Sequence, residues 1–252
     1  MGDDLGLLMI TVVVISLLSG IIHSAIGFGF GIVAITLLPM LMDAKSAHVI
    51  VSISSVPMLM MATWTYRKGM ESKTLGIAVV GAMIALPAGL YLFEQLSHEL
   101  LIRLTGLGVL LMVGFSPLHK KRKQTDSDKM LRIHTYCLGA GAISGFLAGA
   151  VSIAGPPIAA FALHQGWSLN RYKAFVTQFL LVIAAWKAGL LVIRNHVDQV
   201  IAVEVTFASV FAMIGVLIGE KLVRNVDNAR LKKIVAIVLI VVASFMLLGG
   251  AE

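Results

Sequence analysis

Apolar residues run along this chain in long continuous blocks and do not alternate with polar ones. Charge-poor blocks cover residues 5–42, 48–66, 75–93, 100–117, 133–164, 174–193, 200–219 and 234–248. Each approaches or exceeds the roughly 20 residues an α-helix needs to cross a bilayer. A barrel wall would show a period of two, so these blocks predict helices. The fold class is therefore an all-α integral membrane protein. The first and fifth blocks are much longer than the others, and glycine or proline interrupts them at residues 27–31 and 152–157.

Those two interrupted blocks are related. Residues 19–38 align with residues 144–163 at an offset of 125, with Ser19 on Ser144, Gly20 on Gly145, Ala25 on Ala150, Ala34 on Ala159 and Leu38 on Leu163. Further along, Ala85 and Gly89 correspond to Gly215 and Gly219, and residues 101–103 to 231–233, at an offset of 130. The pattern predicts a duplicated four-segment unit, each copy opening with a broken helix. The N-terminal membrane repeat is 1–118, the basic linker 119–132 and the C-terminal repeat 133–252.

Composition agrees with the blocks. With 58% hydrophobic and 13% charged residues in 252, there is too little polar surface for a water-soluble globule. A net charge of +7 would point to nucleic acid in a soluble domain, but here lysines and arginines collect in short loops beside spans. They read as topology signals, and no nucleic-acid partner is expected. Cys137 is the sole cysteine, which excludes an internal disulfide and a thiolate metal cluster. No cofactor or metal is expected. Residues 1–4 are acidic and lack the basic region of a secretory leader, so the first span is expected to remain in the mature protein.

If every block crossed once, basic residues would divide almost evenly between the two sides. If each broken block enters and leaves on one side, sixteen basic residues gather on one face and only Lys45, Arg103 and Arg194 on the other. Positive loops stay cytoplasmic. This predicts both termini extracytoplasmic, the linker inside, and two repeats inserted in opposite senses. Whether each broken block is a re-entrant hairpin of two half-length arms or a crossing plus a short returning arm is open at this level.

The breaks carry the candidate chemistry. Gly27, Gly29 and Gly31 can adopt positive φ, and Pro156 and Pro157, after Gly155, suit the first turn of a new helix. Each break then starts a half-helix whose N-terminus offers free N–H donors and about half a positive charge to an anion. The plainer alternative is a kink that eases packing. Ser24, Thr36 and Ser152 add hydroxyls beside the breaks, although such groups often bond their own helix. His23, in the first broken block, suits substrate contact or proton relay. His48 and Lys173 take equivalent places at the starts of the following spans, and Thr177 and Gln178, a turn deeper, are better cavity candidates. Lys187 and Glu204 are the charges furthest from any loop. They are expected to pair across adjacent spans, as a gate, a coupling element or a structural ion pair. Ser16, Gly20 and Ser24, matched by Gly141, Gly145 and Gly149, form small-residue stripes expected to press the broken helices together.

The glycine-rich segments from Gly27-Phe28-Gly29-Phe30-Gly31 through Pro39-Met40-Leu41, and from Gly149 through Gly155-Pro156-Pro157, resemble those of the sulfite exporter TauE/SafE family. The resemblance spans essentially the whole chain. It departs at Phe30, Ser152 and Ala154, where the family pattern leads one to expect glycine. The resemblance implies a small duplicated transporter of anions such as sulfite or organosulfonates in a bacterial inner membrane. The reading is a secondary transporter working by alternating access at a central site, with a proton or sodium ion as coupling ion. An anion channel remains an alternative, as does a homodimer through glycine-lined spans. A membrane-embedded enzyme is disfavoured, because no G-x-S-x-G or H-E-x-x-H segment accompanies the serines and histidines.

Overall fold

The computed structural model describes residues 2–67, 72–115, 129–165 and 167–223, with five separate positions between 237 and 248. Among the described residues every element is helical and none is a strand. The first block becomes α1 (Gly2–Ile26) and α2 (Phe30–Leu37), followed by a short 3-10 turn (Leu38–Met40). Then come α3 (Ala44–Tyr66), α4 (Ser72–Gln95) and α5 (His98–Phe115). The fifth block divides into α6 (Lys129–Val151) and α7 (Gly155–His164), and α8 (Leu169–Ile193) and α9 (Gln199–Val223) follow. The block at 234–248 and most of the linker fall outside the described stretches.

Helix starts follow ordinary capping. Asp43 accepts a hydrogen bond from the Ser46 N–H at 2.9 Å ahead of α3, and Asp198 one from Ile201 N–H at 2.8 Å ahead of α9. Among the described residues, α3, α4, α8 and α9 contain segments long and apolar enough to cross a membrane. The two arms of the first broken block are unequal. α1 has 25 residues, about 37 Å of helix, and α2 has 8, about 12 Å. The first arm is thus long and the second short.

The small-residue stripes do not join the broken helices to each other, contrary to the expectation above. Each broken helix packs on a helix of the other half. A β-carbon at Gly141 would meet Ala78, one at Gly145 would meet Ala82, and one at Gly149 would meet Leu86, so α6 lies alongside α4 in the same direction. Gly215 faces Leu17 and Gly219 faces Ile21, so α9 likewise runs parallel to α1. The reason is that small residues lie on both partners: Ala78, Ala82 and Gly89 on α4, Ala212, Gly215 and Gly219 on α9. Backbones then approach closely and gain van der Waals contact, which is what joins helices in lipid. The two contacts obey the sequence offsets: Gly20 meets Ala212 as Gly145 meets Ala82, and Gly219 meets Ile21 as Gly89 meets Phe146.

α3 packs on α8 and α9, antiparallel to α8. Lys187, late in α8, reaches His48, early in α3, while Lys173, early in α8, stands over the Tyr66 ring at the end of α3. One end of the bundle is tied by charges. Glu94 accepts hydrogen bonds from Arg194 at 2.6 Å and from His196 at 3.1 Å, and Lys45 donates to its carbonyl oxygen at 3.3 Å. These partially exposed pairs fix helix ends and add little stability by themselves. The apolar interior is built from Phe30, Ile35, Leu38, Ile50 and Met58 on one side and Phe175, Phe179 and Ile158 on the other.

Candidate functional site

Both breaks begin with a residue in the left-handed region. Gly27 ends α1 at φ +89°, its N–H donating to His23 O at 2.7 Å. Ser152 ends α6 at φ +56°, and the following N–H of Ile153 reaches back to Leu147 O at 3.2 Å. These are left-handed C-caps, a position where glycine is the usual occupant because it has no Cβ to strain. Positions 27 and 152 are equivalent under the 125-residue offset. Among the described glycines only Gly27 has positive φ; Gly29 and Gly31 do not need it. After three non-helical residues each chain re-enters helix, and neither Gly29 nor Ala154, the N-cap residues, supplies a side-chain cap. Proline stands in the first turn of α7, as its sequence leads one to expect.

The two breaks touch. A β-carbon at Gly31 would lie 3.0 Å from the Ser152 carbonyl oxygen, and one at Gly155 would lie 2.7 Å from Phe28 Cβ. Glycine at these two places is a condition of the approach. Beside the contact is a cavity of about 70 Å³ lined by His23, Phe28, Gly31, Ser52, Ser55, Met58, Ser152, Gly155, Ile183 and Lys187 among others. A single water needs roughly 10–15 Å³ of such space, so a small anion with little water fits.

Lys187, 3% exposed, is the buried lysine of this cavity. Its ammonium donates to His48 Nε2 at 2.6 Å, to Ala148 O at 2.5 Å and to Ser152 Oγ at 2.8 Å. It does not pair with Glu204; the Lys187 bonds go to α3 and to the end of α6, and no described carboxylate is within ion-pair reach. Its position suits the electrostatics of a helix C-terminus, whose unpaired carbonyls favour a cation. Ser152 Oγ is the hub, 3.1 Å from His48 Nδ1 and 3.2 Å from Ser52 Oγ, and Ser52 in turn donates to His48 O at 2.6 Å. The contacts are all satisfied with His48 protonated on Nδ1, the Ser152 hydroxyl donating to Ser52, and one proton held between Lys187 Nζ and His48 Nε2. The His48 ring stacks on Phe93 with centroids 3.9 Å apart.

The structure therefore brings His23, Gly31, Ser152, Gly155 and Lys187 together around one cavity. Among the described residues, buried His23 Nε2 has no hydrogen-bond partner. Gly27, Gly29 and Pro156 form the breaks without lining the cavity. Ser24 and Thr36 are spent on backbone carbonyls: Ser24 donates to Val216 O of α9 at 2.9 Å, and Thr36 to Ile32 O of its own helix at 2.6 Å. Thr177 donates to Lys173 O at 2.6 Å, and neither it nor Gln178 lines the cavity. Glu204 is buried on α9, away from it. Sequence reasoning missed Ser52 and Ser55 and gave His48 no role. The available signal was the spacing of His48, Ser52 and Ser55 at i, i+4 and i+7, one polar stripe on an apolar helix.

The sulfite exporter TauE/SafE family model matches residues 12–246. The chain belongs to this family. Membership implies a membrane transporter of small anions, sulfite among them. Comparison with curated proteins and with solved structures found no match.

Proposed function

We propose that this TauE/SafE protein is a secondary transporter that carries a sulfur oxyanion, sulfite or an organosulfonate, through the cavity between the two breaks by alternating access. The observation that carries the reading is Lys187, a buried lysine lining that cavity with no carboxylate partner among the described residues. A buried charge without a counter-ion costs several kcal/mol. An anion in the cavity offsets it. The N-termini of α2 and α7, without side-chain caps, add donors, and Lys173 and Lys187 occupy the opposite, negative ends by bonding Ser24 O and Ala148 O.

The repeats 1–118 and 133–252 are taken as inverted copies. The parallel pairs α1 with α9 and α4 with α6 are those expected if each broken block returns to the side it entered. Lys45 and Arg194, assigned to one face by charge counting, meet at one end of the bundle through Glu94. In this reading the protein lies in a bacterial inner membrane with that end and both termini outside.

The test is uptake into proteoliposomes of sulfite, thiosulfate, small sulfonates and small carboxylates. Saturable flux with counterflow of a sulfur oxyanion is expected; no transport of any of them removes the proposal. Labelling of single cysteines near residue 6 from outside intact cells checks the orientation.

A further inference from the structure

An ammonium has three N–H donors, and in this structure all three of Lys187 are occupied. Lys187 thus lines the cavity yet has no donor left for a ligand. One acceptor has to release it before an anion can be bound. The Ala148 carbonyl and the Ser152 hydroxyl have no protonation state to change at ordinary pH, whereas His48 does. Two nitrogen bases 2.6 Å apart hold a proton between them, so Lys187 and His48 share one charge. A proton added at His48 Nε2 ends its capacity to accept and frees the Lys187 N–H.

We infer that the Lys187–His48 pair takes up one proton as an anion enters the cavity, so that anion and proton move together. This rests on the anion reading of the cavity. The balance is simple. Lys187, which lines the cavity, passes the shared proton to the His48 Nε2 lone pair, making the buried ring an imidazolium, and takes a replacement from a hydronium ion in the cavity, which becomes water. The freed ammonium N–H turns onto an anion oxygen. Two buried cations then face one anion. When the anion leaves, their mutual repulsion expels the proton and the bond between Nζ and Nε2 re-forms. The imidazolium keeps Nδ1–H on Ser152 Oγ, 3.1 Å away, and remains stacked on Phe93.

Other charged groups around the pair are accounted for. α2 has no titratable side chain, and α1 offers His23 across the cavity. Glu94 is held by Arg194 and His196 beyond Phe93, and Lys45 reaches the Glu94 carbonyl. Glu99 of α5 pairs with Arg103, α9 carries Glu204, and Lys173 is bonded to Ser24 O near the other break.

The experiment is calorimetric titration of the full-length protein with sulfite, methanesulfonate and 2-hydroxyethanesulfonate in buffers of different ionisation enthalpy. Each anion's own protonation, measured without protein, is subtracted. Linkage then gives the proton count. About one proton is expected to be taken up per anion bound, falling toward zero in His48→Gln. In proteoliposomes the same variant is expected to lose uptake driven by an inward proton gradient. Anion binding by the unaltered protein with no proton uptake overturns the inference and leaves the anion reading standing. An undiminished count in His48→Gln also overturns it. Failure to bind any of the anions overturns both. The count on the unaltered protein needs no variant, so a folding defect in His48→Gln does not shield the inference.

Discussion

The two breaks are the instructive pair of regions. Their sequences align at an offset of 125, and they have the same left-handed C-cap and the same short non-helical passage into a new helix. At the first, position 152's counterpart is Gly27, which has no side chain, and the helix end is held by Lys173 on Ser24 O at 2.9 Å. At the second the residue is Ser152, whose hydroxyl joins Lys187, His48 and Ser52. Backbone geometry was kept by both copies and polar chemistry was concentrated at one. Two interruptions of the same backbone form thus stand side by side, and the residue at one position in each decides which carries the polar side of the cavity.

The largest expected difference between the halves lies in their lysines. Lys187→Met is expected to weaken anion binding by about 10–100-fold, the roughly 1.5–3 kcal/mol of a hydrogen bond to a charged group. Lys173→Met, off the cavity, is expected to change it far less and to act mainly on thermal stability. Equilibrium binding and thermal unfolding of both variants measure this, and equal losses of affinity would erase the contrast.

Packing is expected to respond alike in the two halves. Gly20→Ala and Gly145→Ala each drive a β-carbon into the backbone of a partner helix, at Ala212 and Ala82, and overpacking of this kind costs about 1–3 kcal/mol. Gly139→Ala and Gly189→Ala meet nothing within 4 Å and are expected to be neutral or stabilising by roughly 0.5–1 kcal/mol. Unfolding midpoints in one detergent compare all four.

At the caps the halves diverge again. Gly27→Ala puts a β-carbon at φ +89° and is expected to cost about 1–2 kcal/mol. Ser152→Gly relieves a comparable strain while removing the hub hydroxyl, so it is expected to be more stable than Ser152→Ala while binding anion as poorly. Paired unfolding and binding measurements separate the two effects.

The smallest effect concerns Lys187 and Glu204. Because they do not pair, the double variant Lys187→Met with Glu204→Gln is expected to be additive in stability within about 0.3–0.5 kcal/mol. A larger coupling in a double-mutant cycle would restore the ion pair that sequence spacing suggested.

Helices, spans and breaks were legible in the chain because they depend on local facts. Continuous apolar blocks fix helix in a medium without water, and Gly27, Pro156 and Pro157 act on their own backbone. The match between the two broken blocks was legible for the same reason, as residue identities recur at a fixed offset. What sequence could not decide was which polar residues meet. Ser24, Thr36 and Thr177 looked like cavity donors, yet each is spent on a carbonyl of its own or a neighbouring helix. Lys187 had a plausible partner at similar depth in Glu204 and took His48, 139 positions away, because α8 packs on α3 with that face inward. The small-residue stripes announced close contact without naming the partner, and only the fold matched α1 with α9 and α6 with α4. Local composition sets what each segment can become in a bilayer; the meeting of side chains from α3, α6 and α8 at one buried point depends on rotations and crossings that no single segment encodes.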